Sequence, residues 1–568
     1  MPKRAKPTPK FKYHIEQITS RKHTYEVEVK GTRSPVNHSI IIENAGKGYV
    51  INPRVRANDQ SDWLDVETML RDTLKGFRTD EEKAIALCYL FEGTRFQRSN
   101  VDRHSVHPVV LLGSYGYGIC GHTAAALDAL AHAAGFRSRH WEINHHTVME
   151  IYFDGAWHML DGNISVFYLK RDNRTIASMA DLENDPDLVG RTQPLGGKPH
   201  SEVRNWYTTK KYHYHYPTQN RHAVAERSLG YTLRPSERLE RYWHKTYKYH
   251  DQVHNPAAPR TYANGKFILE LDLTRTNVLD WLRKQYTYAK NLKWTRGRSP
   301  ALRVDRLQIP VYDQASGLVF DVRSPYVIVG GKLCLRMHKS GSSERDEISV
   351  RVIPYGTGRE ATTLYQAMET GDFDVELDLA RGIQPWGNEG NYFYEVVVSM
   401  QASGETKPPG VTGLDELRLE SDVQVAPKAL PALRLGTNVL TYTDESEKSR
   451  DVRVIHVWKE RTEGKPPRAP RALSPAKGQR VGTLAPTLRW RQPEGNDDIV
   501  DYQIMVSRWP HCRLPHCANL YGTLGRNDAR FDVPPGWLTP RTTFYWKVRA
   551  KDSVGDWSAW SDVAAFRT

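Results

Sequence analysis

A cysteine at the predicted start of a helix is the first residue whose type and position indicate chemistry. Cys120 comes two positions after Gly118, and Ala124 and Leu127 continue an apolar face from it at helical spacing. The exposed N–H groups and the dipole of a helix start favour an anion, so they lower the pKa of a thiol placed there and favour the nucleophilic thiolate. A cysteine beside alanine and leucine is more often a buried apolar side chain, so Cys120 alone leaves both interpretations open.

A predicted β-hairpin carries a histidine and an aspartate on one face. An Asp-Gly pair at residues 154–155 is a strong signal for a two-residue turn. With that turn, His146 lies opposite Asn163 and one diagonal step from Asp161, within reach of a hydrogen bond between imidazole and carboxylate. Because successive side chains alternate between the two faces of a strand, the register selects His146 over His145, and Asp161 over the aspartate of the turn.

Placed against a helix-start cysteine, this pair completes a Cys120–His146–Asp161 triad. The carboxylate fixes the tautomer of the imidazole and stabilises its cationic form. A half-buried hairpin with a purely structural His–Asp pair is the alternative interpretation of the same residues. His122 and His158 are rival candidates for the base.

Two helices and three strands must position these side chains. Thr79 and Glu82 have the spacing of a capping box, which predicts the start of the first helix. The second helix begins at Cys120, and Gly135 has the position of its C-cap. Strands are predicted at about 138–143, 146–153 and 157–161.

Residues 79 to about 165 resemble a transglutaminase-like core, the papain-related fold shared with some microbial proteases and peptide N-glycanases. The residues that carry the resemblance are Gly118, Cys120, Ala124, Gly135, Arg139, His146, Glu150, Tyr152, Gly155, Trp157 and Asp161. Val148, the pair Gly162-Asn163 and His122 depart from the family pattern, which leaves the acyl donor open. The resemblance implies an α+β fold class, with a papain-like core flanked by all-β sandwich domains.

The reaction implied by the resemblance is acyl transfer at an amide bond of a protein or peptide substrate. Cys120 attacks the carbonyl, His146 takes and returns a proton, and Asp161 orients His146. We expect hydrolysis or deamidation rather than crosslinking, since no calcium-loop motif is present. The backbone N–H of Cys120 is an obvious donor to an oxyanion, with Tyr115 or Tyr117 as further candidates. The alternative is a non-catalytic scaffold that binds glycan or protein through its β-sandwiches.

Composition limits the partners and cofactors. The 568 residues carry a formal net charge of +14, which favours polyanions unless the basic surface is simply solvated. Residues 201–250 interleave Lys and Arg with Trp and Tyr, as in polyanion binding, in the lining of a substrate cleft or in the packing of an extended arm. Without a nucleic-acid motif, we expect glycan or polyanion contact rather than nucleic acid.

Five cysteines without a C-x-x-C pair argue against a structural zinc site, and no apolar run is long enough to span a membrane. We expect no cofactor and no metal.

The domain organisation is predicted from changes of pattern along the chain. Residues 480–568 resemble a fibronectin type III domain, with a Trp-Ser repeat at Trp557-Ser558-Ala559-Trp560-Ser561, and this resemblance implies a spacer or binding module. We expect an N-terminal β unit (1–78), a catalytic core (79–200), a basic aromatic-rich extension (201–305), a β-sandwich (306–430), a linker region (431–479) and the fibronectin type III-like domain. No signal peptide is visible, and the compartment is left open.

Overall fold

Strands dominate the structure, a computed structural model of the chain. It describes residues 10–96, 102–197, 200, 203–210, 214–216, 227–250, 257, 259–273, 288–290, 293–295, 301–304, 317–339, 347–354, 360–383, 390–401, 412–447, 450–493 and 498–568. It is mostly β, with 46% strand and 16% helix in many sheets, and it shows no papain-like core. The expected α+β fold class is therefore wrong. The helical periodicity behind that expectation is confined to short segments, whereas period-2 alternation recurs along most of the chain.

Fourteen of the described strands form one large sheet. Its path runs through β1 (Lys12–Ile18), β24 (Val452–Arg461), β3 (Arg33–Asn44), β12 (Glu237–Tyr242), β13 (Ala263–Asp272), β22 (Thr412–Val425), β17 (Gly317–Lys339), β21 (Asn391–Gln401), β18 (Glu347–Pro354) and β19 (Thr362–Gln366). The strands β14 (Tyr288–Lys290), β15 (Lys293–Thr295), β16 (Ala301–Val304) and β20 (Gly371–Asp378) pair beside this path.

One smaller sheet and the edge of the large sheet join the N-terminal strands to a segment that the sequence predicts to be a linker. That smaller sheet contains β2 (Lys22–Val29), β23 (Gly436–Thr443), β5 (Arg54–Ala57) and β6 (Gln60–Ser61), and another pairs β4 (Val50–Ile51) with β11 (Thr232–Leu233). β1 pairs with β24, and β2 pairs with β23. Gly436–Thr443 and Val452–Arg461 are thus strands, because alternate side chains of β23 and β24 are buried in this shared core.

The helices are short and lie mainly between residues 66 and 208. They are α1 (Val66–Leu74), α2 (Asp80–Tyr89), α3 (Pro108–Val110), α4 (Cys120–Ala133), α5 (Met179–Asn184), α6 (Asp187–Gly190), α7 (Arg204–Thr208) and α8 (Ala380–Ile383). Single turns of other helix types span Arg103–Val106, Leu111–Tyr115, Pro427–Ala429 and Ala518–Leu520. No helix among the described residues is long and apolar enough to cross a membrane.

A four-stranded antiparallel sheet packs against α4 and positions the candidate site. Its order is β10 (Tyr214–Tyr216), β7 (Arg137–Ile143), β8 (His146–Phe153) and β9 (Ala156–Leu160). One face buries Met149 and Ile151 in the same core as Leu127 and Leu130 of α4. The helix that begins at Cys120 is therefore held against the strand that begins at His146.

The C-terminal strands form two facing sheets. One contains β25 (Arg471–Ser474), β27 (Thr487–Arg491) and β30 (Arg530–Asp532). The other contains β26 (Gln479–Arg480), β32 (Ala564–Arg567), β31 (Thr543–Asp552), β28 (Ile499–Ser507) and β29 (Tyr521–Thr523). Trp490 and Trp546 are buried between the sheets, as expected for the core of a β-sandwich.

This C-terminal unit is docked on the rest of the chain. Arg33 of β3 donates to Asp552 at 2.6 Å and to Asp556 at 2.5 Å. His511 lies 2.8 Å from the carboxylate of Glu82, in the first turn of α2. These contacts are buried or half-buried, so the unit packs against the rest of the protein and is not a separate appended domain.

Candidate functional site

Cys120 is the first residue of α4. Ile119, the N-cap, makes no side-chain hydrogen bond to the helix, so its first N–H groups are not capped by that side chain. The thiol is partly exposed. The neighbouring Gly121 has open space on its side-chain face, so the helix start is accessible beside the sulfur. Thr79 and Glu82 form the predicted capping box of α2, and Gly135 has a left-handed φ of 90° just after α4, which confirms those helix signals.

The hairpin has the predicted register over β8 and β9, where Phe153 pairs with Ala156 and Met149 with Leu160. The chain departs from that register after β9. Asp161 forms a bridge with Val166, and the residues between them make a tight turn. Asn163 consequently lies in this turn and does not pair with His146.

The side chains of His146 and Asp161 meet at this turn. The Nε2 atom of His146 lies 2.6 Å from Oδ2 of Asp161, and both side chains are buried. The other carboxylate oxygen accepts the backbone N–H groups of Asn163 at 2.9 Å and Ile164 at 3.2 Å. The tight turn therefore fixes the carboxylate, and the carboxylate in turn fixes the imidazole, with Nδ1 as the ring nitrogen left for the thiol.

The charges of the site favour an ion pair between thiolate and imidazolium. Burial raises the pKa of the Cys120 thiol, but His146 and hydrogen bonding from Thr147 outweigh burial and lower it. Burial lowers the pKa of His146, but Asp161 and Cys120 outweigh burial and raise it to about 9. Burial also disfavours the charged form of Asp161, yet His146 and the hydroxyl of Tyr207 hold its pKa below the usual value.

The other cysteines have the opposite environment. Burial raises the pKa of Cys88 well above its ordinary value, and it raises the pKa values of Cys512 and Cys517 to about 12. Cys334 is partly exposed, and burial again raises its pKa. Cys120 alone among the five has a pKa that its surroundings lower.

Two aromatic residues at the site were not singled out from the sequence. The hydroxyl of Tyr207 donates to Oδ2 of Asp161 at 2.5 Å, and the ring of Trp206 lies 4.8 Å from the imidazole of His146. Both belong to α7, inside the basic aromatic segment, where we had left cleft lining as one of three interpretations. The aromatic-rich composition of residues 201–250 was the available signal for such contacts. Nothing in the local sequence indicates which aromatic ring of that segment reaches the hairpin. Part of that segment, including residues 211–213 and 217–226, lies outside the described residues.

The other candidates for the base, and Tyr115 as a candidate donor to the oxyanion, are in environments that do not suit these roles. His158 bonds to the carbonyl oxygens of Ile176 at 2.7 Å and of Phe153 at 3.2 Å. Burial lowers the pKa of His122 to about 4, which disfavours a cationic form. The Tyr115 hydroxyl donates to Asp102 at 2.7 Å, so it is engaged away from the thiol.

In the part of the chain that the structure describes, no cluster of three or more His, Cys, Asp and Glu side chains is arranged to hold a metal ion. The predicted site residues instead bring together a thiol of lowered pKa, an imidazole and a buried carboxylate.

Comparison with known proteins defines the C-terminal unit. Residues 474–568 match the family model described as "Rha78A-like, N-terminal immunoglobulin domain", and the unit is an immunoglobulin-like or fibronectin type III-like domain, as the sequence predicted in coarse terms. No curated protein matches the sequence. The transglutaminase-like resemblance of the segment around Cys120 finds no match in these comparisons.

Solved structures with similarity to this chain include an Fn3-like protein and hydrolytic enzymes. The Fn3-like protein, from Clostridium thermocellum, is 15% identical over 18% of this chain and 90% of its own, with a TM-score of 0.13. The spore cortex lytic enzyme SleM of Clostridium perfringens is 17% identical over 22% of this chain and 35% of its own, with a TM-score of 0.14. A beta-1,2-glucanase from Parabacteroides distasonis is 11% identical over 50% of this chain and 36% of its own, with a TM-score of 0.13. This chain thus spans about a third of each of those two enzymes, and TM-scores this low carry no argument about activity.

Proposed function

We propose that this protein is a cysteine-dependent acyl-transfer enzyme that acts on amide bonds of a protein or peptide through Cys120, His146 and Asp161. The observation that carries the proposal is the 2.6 Å contact between His146 and Asp161 beside a helix-start cysteine whose pKa is lowered. The resemblance of the surrounding sequence to transglutaminase-like enzymes supports the same chemistry.

The reaction proceeds in two halves. The thiolate of Cys120 attacks the amide carbonyl carbon, and the imidazolium of His146 gives its proton to the departing amine as the C–N bond breaks and a thioester remains. Water then attacks the thioester, His146 accepts a proton from it, and the C–S bond breaks to release the acid and the thiolate. Asp161 keeps the imidazole oriented throughout. The backbone N–H of Cys120, at the start of α4, donates to the oxyanion.

Hydrolysis or deamidation is favoured over crosslinking on the sequence argument, because no calcium-loop motif accompanies the site. An amine that attacks the thioester needs the same three residues as water does. Which of the two acts as acceptor therefore depends on which one reaches the thioester. Assays of peptide cleavage, of ammonia release from glutamine peptides and of lysine-peptide incorporation separate these outcomes.

Alkylation of the thiol is the most direct test of the proposal. Iodoacetamide at pH 7 should modify Cys120 at least about tenfold faster than Cys334, which is also partly exposed but has a raised pKa. Cys120→Ala should abolish turnover, and Cys334→Ala serves as the matched control that leaves it intact. Equal alkylation of the two cysteines would reject the enzyme and leave the non-catalytic scaffold as the function to pursue.

A further inference from the structure

A cavity of about 310 Å³ lies behind the segment that leads to Cys120. Its wall combines the turn that follows α2, the segment of Leu112 and Gly116, residues between β12 and β13, and the turn at Pro427–Ala429. Gly116, which lines it, has a left-handed φ of 72° and a carbonyl that accepts the hydroxyl of Thr261 at 2.5 Å. A side chain at Gly116 would collide with the backbone of Thr261, so the two walls are held in close contact.

The cavity carries an excess of positive charge. Lys245, Arg260 and Lys428 line it, and Glu92 is the one carboxylate among its described lining residues. Lys245 donates to the carbonyl of Pro259 at 2.6 Å, and Lys428 donates to the carbonyl of Leu90, the C-cap of α2, at 2.6 Å. An ammonium group has three N–H donors, so each lysine retains donors for a ligand after these bonds.

Burial lowers the pKa of both lysines, because nearby carboxylates do not fully offset it. It lowers the pKa of Lys245, and it lowers the pKa of Lys428 even though Glu92 favours the charged form. Glu92 is itself shared, because it accepts the hydroxyl of Tyr521 from the C-terminal domain at 3.2 Å. The cavity therefore holds three cations, of which Lys245 is half-buried and Arg260 and Lys428 are exposed, and one carboxylate to balance them.

Aromatic side chains complete the wall. Trp243 is half-buried along the lining, and Tyr262 lies under Lys245, whose Nζ atom is 4.6 Å from the ring centroid. An apolar or aromatic wall with a few convergent polar groups is the usual composition of a small-molecule site, and the volume is at the lower end of the range for such sites.

A larger cleft of about 1060 Å³ crosses β13, β17, β20 and β22, but carboxylates outnumber cations among its described lining residues. Arg336 pairs with Asp374 at 3.1 Å and with Glu416 at 2.7 Å. Arg418 likewise contacts Glu270. The two arginines of this cleft are therefore paired within the protein and its excess charge is negative, so it does not favour an anion, in contrast to the smaller cavity.

We propose that the smaller cavity binds a small organic anion of about the size of a sugar acid or a sugar phosphate. Lys245, Arg260 and Lys428 hold its carboxylate or phosphate, and its carbon skeleton lies against Trp243. The guanidinium of Arg260 is suited to paired hydrogen bonds with either kind of anion. The site takes Lys245 and Arg260 from the basic aromatic extension and Lys428 from a later segment, and it is independent of the proposed chemistry at Cys120.

Calorimetric titration of the full chain tests this site. The probes are glucuronate, glucose 6-phosphate, glucose and inorganic phosphate, at 20 and 200 mM salt. We expect glucuronate or glucose 6-phosphate to bind at least about tenfold more tightly than glucose, with affinity that falls as salt rises. Arg260→Gln and Lys245→Gln should each weaken that binding about tenfold, whereas Arg471→Gln, an exposed control outside the cavity, should not.

Three results would overturn the proposal. Anionic sugars that bind no better than glucose would remove the role of the cations. Binding unchanged in both Arg260→Gln and Lys245→Gln would place the ligand elsewhere. Inorganic phosphate that binds as tightly as glucose 6-phosphate would show that the aromatic wall contributes nothing. Titration of Cys120→Ala should match the parent protein, which separates this test from that of the enzyme.

Discussion

Replacing Asp161 with asparagine removes the charge on which the proposed ion pair depends. The pKa of His146 is raised from 6.5 to about 9, which at about 1.4 kcal/mol per unit amounts to about 3 kcal/mol in favour of the imidazolium. Asp161 is the largest contribution in that direction. Without its charge, the largest contribution that opposes burial is lost and the pKa of His146 falls. The thiol of Cys120 then loses its cationic partner, and burial raises its pKa above 9.0 instead of leaving it below that value.

The pH dependence of Cys120 alkylation measures this effect. Rates with iodoacetamide from pH 5 to 10, followed by mass spectrometry of the Cys120 peptide, should inflect below pH 9 in the parent and above pH 9 in Asp161→Asn. At pH 7 the rate should fall at least about tenfold, as expected when the thiolate becomes the minor form. Asp154→Asn, in the hairpin turn, is the matched control and should keep the parent profile. An unchanged inflection in Asp161→Asn would refute the electrostatic reasoning.

Three further predictions follow from single contacts. Tyr207→Phe removes a buried hydrogen bond to a carboxylate and should lower the free energy of unfolding by about 1.5–3 kcal/mol in chemical denaturation, while raising the KM for peptide far less than it lowers kcat. The raised pKa of His146 stabilises the fold fully below about pH 6.5, and this contribution is lost as the pH rises towards 9, so the difference in unfolding free energy between the parent protein and His146→Gln should shrink over that window. Arg33→Gln removes the arginine that pairs with the buried Asp552 and one of the two arginines that pair with Asp556, and it should cost about 3 kcal/mol of stability, whereas Arg530→Gln, at a surface pair, should change stability far less.

Because the C-terminal domain is docked on the rest of the chain, deleting it should affect the stability of the remaining protein. We expected residues 480–568 to act as a spacer or binding module. The side chain of Arg33 is 6% exposed and that of Asp552 is fully buried, so this ion pair is part of a packed interface. Removing the domain would therefore expose a buried arginine and the first turn of α2, and the loss of stability would spread to the body of the protein.

Local signals anticipated the segment around the candidate site well, and the global fold class poorly. Asp154 and Gly155 specify a turn by their backbone preferences, and the hairpin register follows from that turn alone. The α+β class was predicted from the helices of one segment, and most of the chain consists of strands instead. Pairing of β1 with β24 joins residues more than 400 positions apart, and no local pattern encodes such a partner.

The sequence by itself determined the elements: the capping box at Thr79, the helix that begins at Cys120 and the strand that begins at His146. These depend on neighbours within a few residues, whose conformational preferences act at short range. Only the tertiary structure decided that Tyr207 reaches Asp161 from 46 residues away, that residues 436–461 complete the N-terminal sheets, and that cations from separate segments share one cavity. Such contacts form because burying apolar faces brings distant segments together, and the gain depends on the whole chain rather than on any local run of residues.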